Sequence, residues 1–268
     1  MFSFYEGDSL FHTMNPVAKL VAIGLSMIML TVSFDPVVPG VLLVVVLVLA
    51  CSYGKVPFLA MIKGLIPFLL LGFGFFWMQI AFARDASGPI LLTLGPISVY
   101  QEAMIRGMAL ALRVLCYAAY ALLFVATTDP SEFILSLMQQ GKLPPVYGYS
   151  ILAAYRFFPL YQSEYQILKE AHQVRGANEG QSFWGTIKKL KRYAIPLLAQ
   201  AIRKAERVAI AMEAKGFTGK RERTYYRKLK VHLSDVIIAS ALILLVPGVM
   251  LFAHQYGWLI VWRGSVFF

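Results

Sequence analysis

Apolar stretches separated by short polar breaks dominate the first half of the chain, and each is long enough to cross a bilayer. A helix needs about 20 predominantly apolar residues to span the hydrocarbon. Val17 to Phe34 and Val37 to Tyr53 form the first two spans, parted by a tight Asp35-Pro36 turn. Phe58 to Ala83 is the third, interrupted only by Lys63 and Gln79. Ala103 to Thr127 is the fourth, with Arg106 and Arg113 inside it. Leu233 to Phe252 is the fifth, and Ser234-Asp235 supplies a cap and a first-turn acid at its start.

Between the fourth and fifth spans the period changes. Asp129-Pro130-Ser131-Glu132 has the capping side chain, early proline and acid of a helix start. The short helix it opens runs to Gln140 and stops at Gly141, and Pro144-Pro145 resets the chain. Ile151, Tyr155, Phe158, Tyr161, Tyr165, Leu168 and His172 then recur at spacings of three and four, one apolar-aromatic face on a helix that ends at Gly176. A second long helix is predicted from Phe183 to about Lys215, ending at Gly216, with a kink or break at Pro196. Its apolar positions Ile187, Leu190, Leu197, Ile202, Ala209 and Met212 lie among lysines and arginines. Both read as amphipathic helices at or near the membrane surface, not as spans.

The predicted fold class is an all-α integral membrane protein of about five transmembrane helices, with a domain of amphipathic helices inserted before the last. The expected divisions are 1–128 (four spans), 129–232 (the inserted domain) and 233–268 (the last helix and tail). Composition removes the soluble alternative. Hydrophobic residues make up 59% of the chain, charged ones 15%, and the mean hydropathy is +0.65. Soluble domains are nearer half apolar and a quarter charged, so too few polar side chains exist to cover a water-soluble globule.

Charge locates the inserted domain. The net charge is +11, and all of it lies between Arg156 and Lys230, where 17 basic residues face 6 acidic ones. Such a block admits three readings: a cytoplasmic segment obeying the positive-inside rule, a surface for anionic headgroups, or a nucleic-acid site. A cytoplasmic block after four spans puts the N-terminus inside and the C-terminus outside. Glu6 and Asp8 stand where a signal peptide needs cations. Cys51 and Cys116 sit inside apolar runs, without metal or disulfide spacing.

Little in the chain suits catalysis. His12, His172, His232 and His254 are scattered, and neither a glycine-rich phosphate loop nor a nucleophile elbow is present. The intramembrane charge Arg113 has two readings: a functional group, by the default for charges at that depth, or a side chain snorkelling from a helix that begins near Val99.

The informative features are two helix ends: Glu170-Ala171-His172-Gln173-Val174-Arg175-Gly176-Ala177 and Ala211-Met212-Glu213-Ala214-Lys215-Gly216-Phe217. Each places a cation in the last turn and glycine immediately after, which capping alone would explain for either end singly. Two of them, 40 residues apart in one basic domain, suggest equivalent docking tips.

At these residues the chain resembles a known family, the transmembrane coupling subunit (T component, EcfT/CbiQ-type) of energy-coupling factor (ECF) transporters. The resemblance also rests on the opening Gly7-Asp8-Ser9-Leu10-Phe11-His12-Thr13-Met14-Asn15-Pro16-Val17-Ala18-Lys19-Leu20, on Gly107 through Arg113, on Thr127-Thr128-Asp129-Pro130 and on Tyr155-Arg156-Phe157-Phe158-Pro159. It implies that Val174, Arg175 and Gly176, and then Ala214, Lys215 and Gly216, are Ala-Arg-Gly-type motifs. Each would dock into one of two cytoplasmic ABC-type ATPase subunits. Val174 replaces the usual alanine, and Lys215 replaces arginine, keeping the charge but losing the bidentate fork.

The resemblance further implies that Tyr155, Phe158 and Leu168 contact a small membrane substrate-binding S component, for uptake of a vitamin or metal micronutrient across a prokaryotic cell membrane. ATP would be bound by the ATPases; the chain itself would need no cofactor, hold no metal, catalyse nothing and bind no nucleic acid. The rivals are a stand-alone permease or channel, a membrane-bound lipid enzyme and a tethered nucleic-acid binder. The first would line its spans with polar residues, yet only Gln79 and Arg113 are conspicuous. The second needs clustered acids or histidines and the third a binding motif, and neither is found.

Overall fold

The computed structural model describes residues 7, 9–82, 90–94, 97–175 and 183–256. It divides into two compact units, residues 1–136 with 229–268, and residues 137–228.

The first unit is a helical bundle. After a single turn, α1 (Leu10–Thr13), come α2 (Pro16–Thr31), α3 (Val37–Ser52), α4 (Phe58–Ala81), α5 (Gln101–Thr127) and the start of α6 (Pro130–Gln139). The chain returns with α9 (Leu233–Gln255), once α7 and α8 of the second unit have intervened. α4, α5 and α9 are long and apolar enough to cross a membrane, whereas α2 and α3, at 16 residues each, are shorter apolar helices. Their outward faces are hydrocarbon: Leu69, Leu70 and Phe73 on α4, Ile28 on α2, Val44 on α3, and Leu244 and Leu251 on α9 are all exposed. Lipid, not water, suits such a surface. The all-α membrane class predicted from the hydropathy pattern is the class observed.

Local chemistry sets the helix ends. Asn15 caps α2, its Oδ1 accepting from Val17 N at 3.0 Å, with Pro16 in the first turn. At α9 the capping group differs from the Ser234-Asp235 expectation: helix geometry begins after His232, and Asp235 reaches back to accept from His232 N at 2.9 Å. The interior is packed by Leu30, Leu42, Val46, Met61, Leu123 and Val246, drawn from α2, α3, α4, α5 and α9. Gly107 lets α4 and α5 touch, since a Cβ there would lie 3.1 Å from the Phe76 ring and carbonyl.

A feature the hydropathy pattern did not predict precedes α5. β1 (Ile90–Leu94) and β2 (Ile97–Tyr100) pair antiparallel, with Leu92 opposite Val99 and Leu94 opposite Ile97. α5 starts at Gln101, directly after β2.

Arg113 is neither a snorkelling side chain nor a lone charge. It is buried, its guanidinium donates to the Ser33 carbonyl and lies 5.4 Å from the Phe34 ring, and the Asp35 carboxylate acts on it electrostatically. Asp35 also caps α3, accepting from Val38 N at 2.7 Å, and is held by Ser33 Oγ at 3.0 Å. The cation therefore ties the α2–α3 turn to the middle of α5. Arg113→Met would strand buried acceptors, at a cost of about 2 kcal/mol. We expect Tm of the detergent-solubilised protein to fall by about 5 °C; an unchanged Tm would remove Arg113 from the packing account.

Candidate functional site: the second unit

The second unit is built on two long helices, α7 (Pro145–Val174) and α8 (Phe183–Ala214). Both run through an internal proline, Pro159 and Pro196, without a break; of the kink or break predicted at Pro196, the break does not occur. The two pack antiparallel. Tyr165 and His172 of α7 both meet Tyr193 of α8 edge-on, at centroid distances of 5.5 and 5.4 Å. Lys204 lies 5.1 Å from the Phe157 ring and pairs with Glu164 at 3.6 Å. Beyond the C-terminal end of α8, Phe217 stacks edge-on against Tyr149 in the first turns of α7, at 5.6 Å.

Antiparallel packing puts the two motifs at opposite ends of the pair. Arg175 follows the C-terminal end of α7, whereas Lys215 follows that of α8, beside Tyr149. At 1.5 Å per residue, the helix from Tyr149 to Arg175 separates the motifs by about 40 Å.

Each tip stands clear of its own unit. Val174 is 89% exposed, and Arg175, Ala214, Lys215 and Gly216 are exposed. Gly176 lies outside the described residues. At the second tip the backbone explains the glycine. Gly216 has φ +82°, its N–H donates to Glu213 O at 2.9 Å, and Phe217 N donates to Met212 O at 2.9 Å. This is a Schellman cap: the left-handed residue turns the chain while two otherwise orphaned carbonyls are satisfied. Lys215, immediately before this cap, is exposed.

Residues that the sequence reading did not single out hold that tip in place. Arg223 sits over three rings, Tyr149 at 4.7 Å, Phe217 at 5.3 Å and Tyr225 at 5.6 Å. Arg221 donates to the Lys142 carbonyl, and Gln139 Nε2 donates to Arg227 O at 2.8 Å. The segment from Phe217 to Lys228 has no periodicity to flag it, and its role depends on partners some 80 residues earlier.

The aromatic face of α7 divides along its length. Tyr155 and Phe158 are about half exposed, at 49% and 53%, whereas Leu168 is half-buried. Further along, Tyr165 and His172 are engaged with Tyr193. α8 presents a second open stripe, Ile195, Leu198 and Ile202. Helix faces this apolar, carrying exposed arginines and lysines alongside, suit a contact at the level of lipid headgroups. Among the described residues no cluster of histidine, cysteine and acidic side chains could hold a metal ion.

Residues 7–226 match the model of the CbiQ family, described as cobalt transport protein. The chain is also similar to several bacterial proteins, each named energy-coupling factor transporter transmembrane protein EcfT. It is 28% identical to that of Bacillus subtilis over 251 residues, covering 90% of this chain and 93% of the relative. For Bacillus selenitireducens the figures are 29% over 260 residues, 92% and 94%. For Staphylococcus aureus they are 27% over 259 residues, 93% and 94%.

Three ring contacts on one guanidinium give the second tip a local stability that its exposed position would otherwise lack, at about 0.5–1 kcal/mol each. Arg223→Ala should therefore speed amide exchange across residues 214–224 by about tenfold while leaving α5 and α9 protected. Unchanged exchange rates across the tip would contradict the clamp.

Proposed function

The chain belongs to the CbiQ family and is a transmembrane T component of energy-coupling factor transporters; from that premise we propose that it couples two cytoplasmic ABC-type ATPases to a small substrate-binding S component for uptake of a vitamin or metal micronutrient. Location in a bacterial membrane follows from the relatives and the apolar helices. The observation that carries the finer reading is the pair of exposed, cationic helix ends at opposite ends of one antiparallel helix pair, about 40 Å apart along the helix. Two separated tips suit two separate sockets, and a single docking partner would need only one.

In this reading Arg175 and Lys215 enter the ATPase grooves, with Val174, Gly176, Ala214 and Gly216 allowing close approach. Closure of the ATPase pair on ATP draws the tips together or apart, and because α7 and α8 interlock through Tyr193 and Lys204, the pair moves as levers. Tyr155, Phe158 and Leu168 pass the motion to the S component by apolar contact, which resists compression yet has no directional bonds to break when surfaces slide. Nucleotide stays with the ATPases, and this chain contributes no catalytic group. The basic unit and the N-terminus lie on the cytoplasmic side, and the C-terminus lies outside. Lys215 supplies a point charge where arginine would supply a planar fork, so the second socket is expected to be more acidic and less shaped than the first.

The test is recovery of partners from native membranes in mild detergent. Tagged wild-type protein should bring down two ATP-binding subunits and a small hydrophobic protein. Arg175→Glu combined with Lys215→Glu should stay in the membrane but lose the ATPases by at least about 100-fold, because reversing charge at a desolvated contact costs several kcal/mol. Equal recovery by the double variant would sink the docking role of the tips.

A further inference from the structure

The transmembrane unit contains a second buried cation, Lys19 near the start of α2, which the coupling reading leaves without a role. It is 1% exposed. Its Nζ donates to Thr127 O at 3.1 Å, to Thr127 Oγ1 at 3.2 Å and to Thr128 Oγ1 at 3.1 Å. An ammonium has three hydrogens, and here each has an acceptor. The Thr127 hydroxyl gives its own hydrogen to Leu123 O at 2.7 Å, which leaves its lone pairs for the lysine. Thr127 is the last residue of α5, so its carbonyl is among those the helix leaves unpaired, at the negative end of the dipole. The carboxylates of Glu132 in α6 and Asp235 in α9 act on the same charge.

The neighbouring cap extends this network to the other connection. Asn15, which caps α2 through its Oδ1, has its amide nitrogen 3.5 Å from Lys230 O. Thr127 and Thr128 lie two to three residues before α6, through which the chain leaves the bundle; Lys230 lies three residues before α9, through which it returns. Both connections to the coupling-helix unit are thereby fastened, inside the bundle, to the first turn of α2. Terminating α5 would take only a capping hydrogen bond. A fully paired, buried ammonium costs far more desolvation than such a cap requires.

We propose that Lys19, seconded by Asn15, is a positioning residue for transport: it fastens both connections to α2, so that displacement of the coupling-helix unit moves the transmembrane helices and is not absorbed at the joints. The proposal rests on the coupling reading above. It adds a role for a side chain that touches neither the tips nor the aromatic face.

The test uses the complex recovered with its ATPase subunits and reconstituted in liposomes. An environment-sensitive fluorophore sits on Ile237→Cys of α9, an exposed position, in a background lacking Cys51 and Cys116. Addition of MgATP to the otherwise unaltered complex should change its emission. Lys19→Met should retain the ATPase subunits and ATP hydrolysis but lose about tenfold of that response, the scale of an ordinary coupling between sites. Lys19→Arg, which keeps charge and donors, should restore most of it.

A full response in Lys19→Met would overturn the proposal. So would a response that falls only in step with assembly and thermal stability, or no ATP response in the unaltered complex. If Lys19→Met fails to assemble, Thr128→Val, which removes one acceptor of three, decides by the same ratio of response to hydrolysis: reduced supports, unchanged overturns. Absence of ATPases from the unaltered preparation is a different result, for it defeats the coupling reading itself.

Discussion

A bilayer interior accepts helices, whose backbone groups pair internally, and rejects charge that lacks a partner. This constraint sorts the chain. The whole net charge, and 17 of the 25 lysines and arginines, lie in one segment of 75 residues, Arg156 to Lys230, most of which folds as amphipathic helices in a compact unit of its own. Left behind is a bundle whose outer faces are leucine, isoleucine, valine and phenylalanine.

Among the described residues two cations are buried in the bundle, and both obey the same rule. Arg113 and Lys19 each lie between α5 and α2 or the turn after it; Arg113 is met by the Ser33 carbonyl and the Phe34 ring, Lys19 by one carbonyl and two threonine hydroxyls. Lys19 to Ser33 along α2, and Thr127 back to Arg113 along α5, are equal intervals on antiparallel helices, so the two cations rivet both ends of one interface. Neither resembles a station on a transport path, because each side chain is turned to bond a neighbouring helix.

The spans were legible in the sequence because a helix long enough to cross hydrocarbon leaves an unmistakable run. α4, α5 and α9 begin within two residues of the positions read from hydropathy. The ends of α7 and α8 were legible for a local reason: a final cation followed by glycine is the chemistry of a helix stop, and Gly216 carries the left-handed backbone that chemistry implies. What stayed hidden depends on distance or on short elements. The 90–100 hairpin is too brief to establish a period against its apolar surroundings. The environment of Arg113 was unreadable because its acceptor is a carbonyl 80 residues away, and carbonyls leave no mark in a sequence. Arg223 was passed over as one more cation in a basic block. Only the fold brings Tyr149, Phe217 and Tyr225 around it.

The central claim is that the two exposed tips touch ATP-binding subunits. Val174 offers a direct test, since its exposure permits a photoreactive amino acid in its place without disturbing the helix. Irradiation of native membranes carrying that substitution, with mass spectrometry of the adduct, identifies what lies against the first tip. The account expects a cross-link to the groove of an ATP-binding subunit, with a yield that changes when ATP is added. Cross-links only to lipid, or only within the chain itself, would contradict it and leave the tips as capped helix ends.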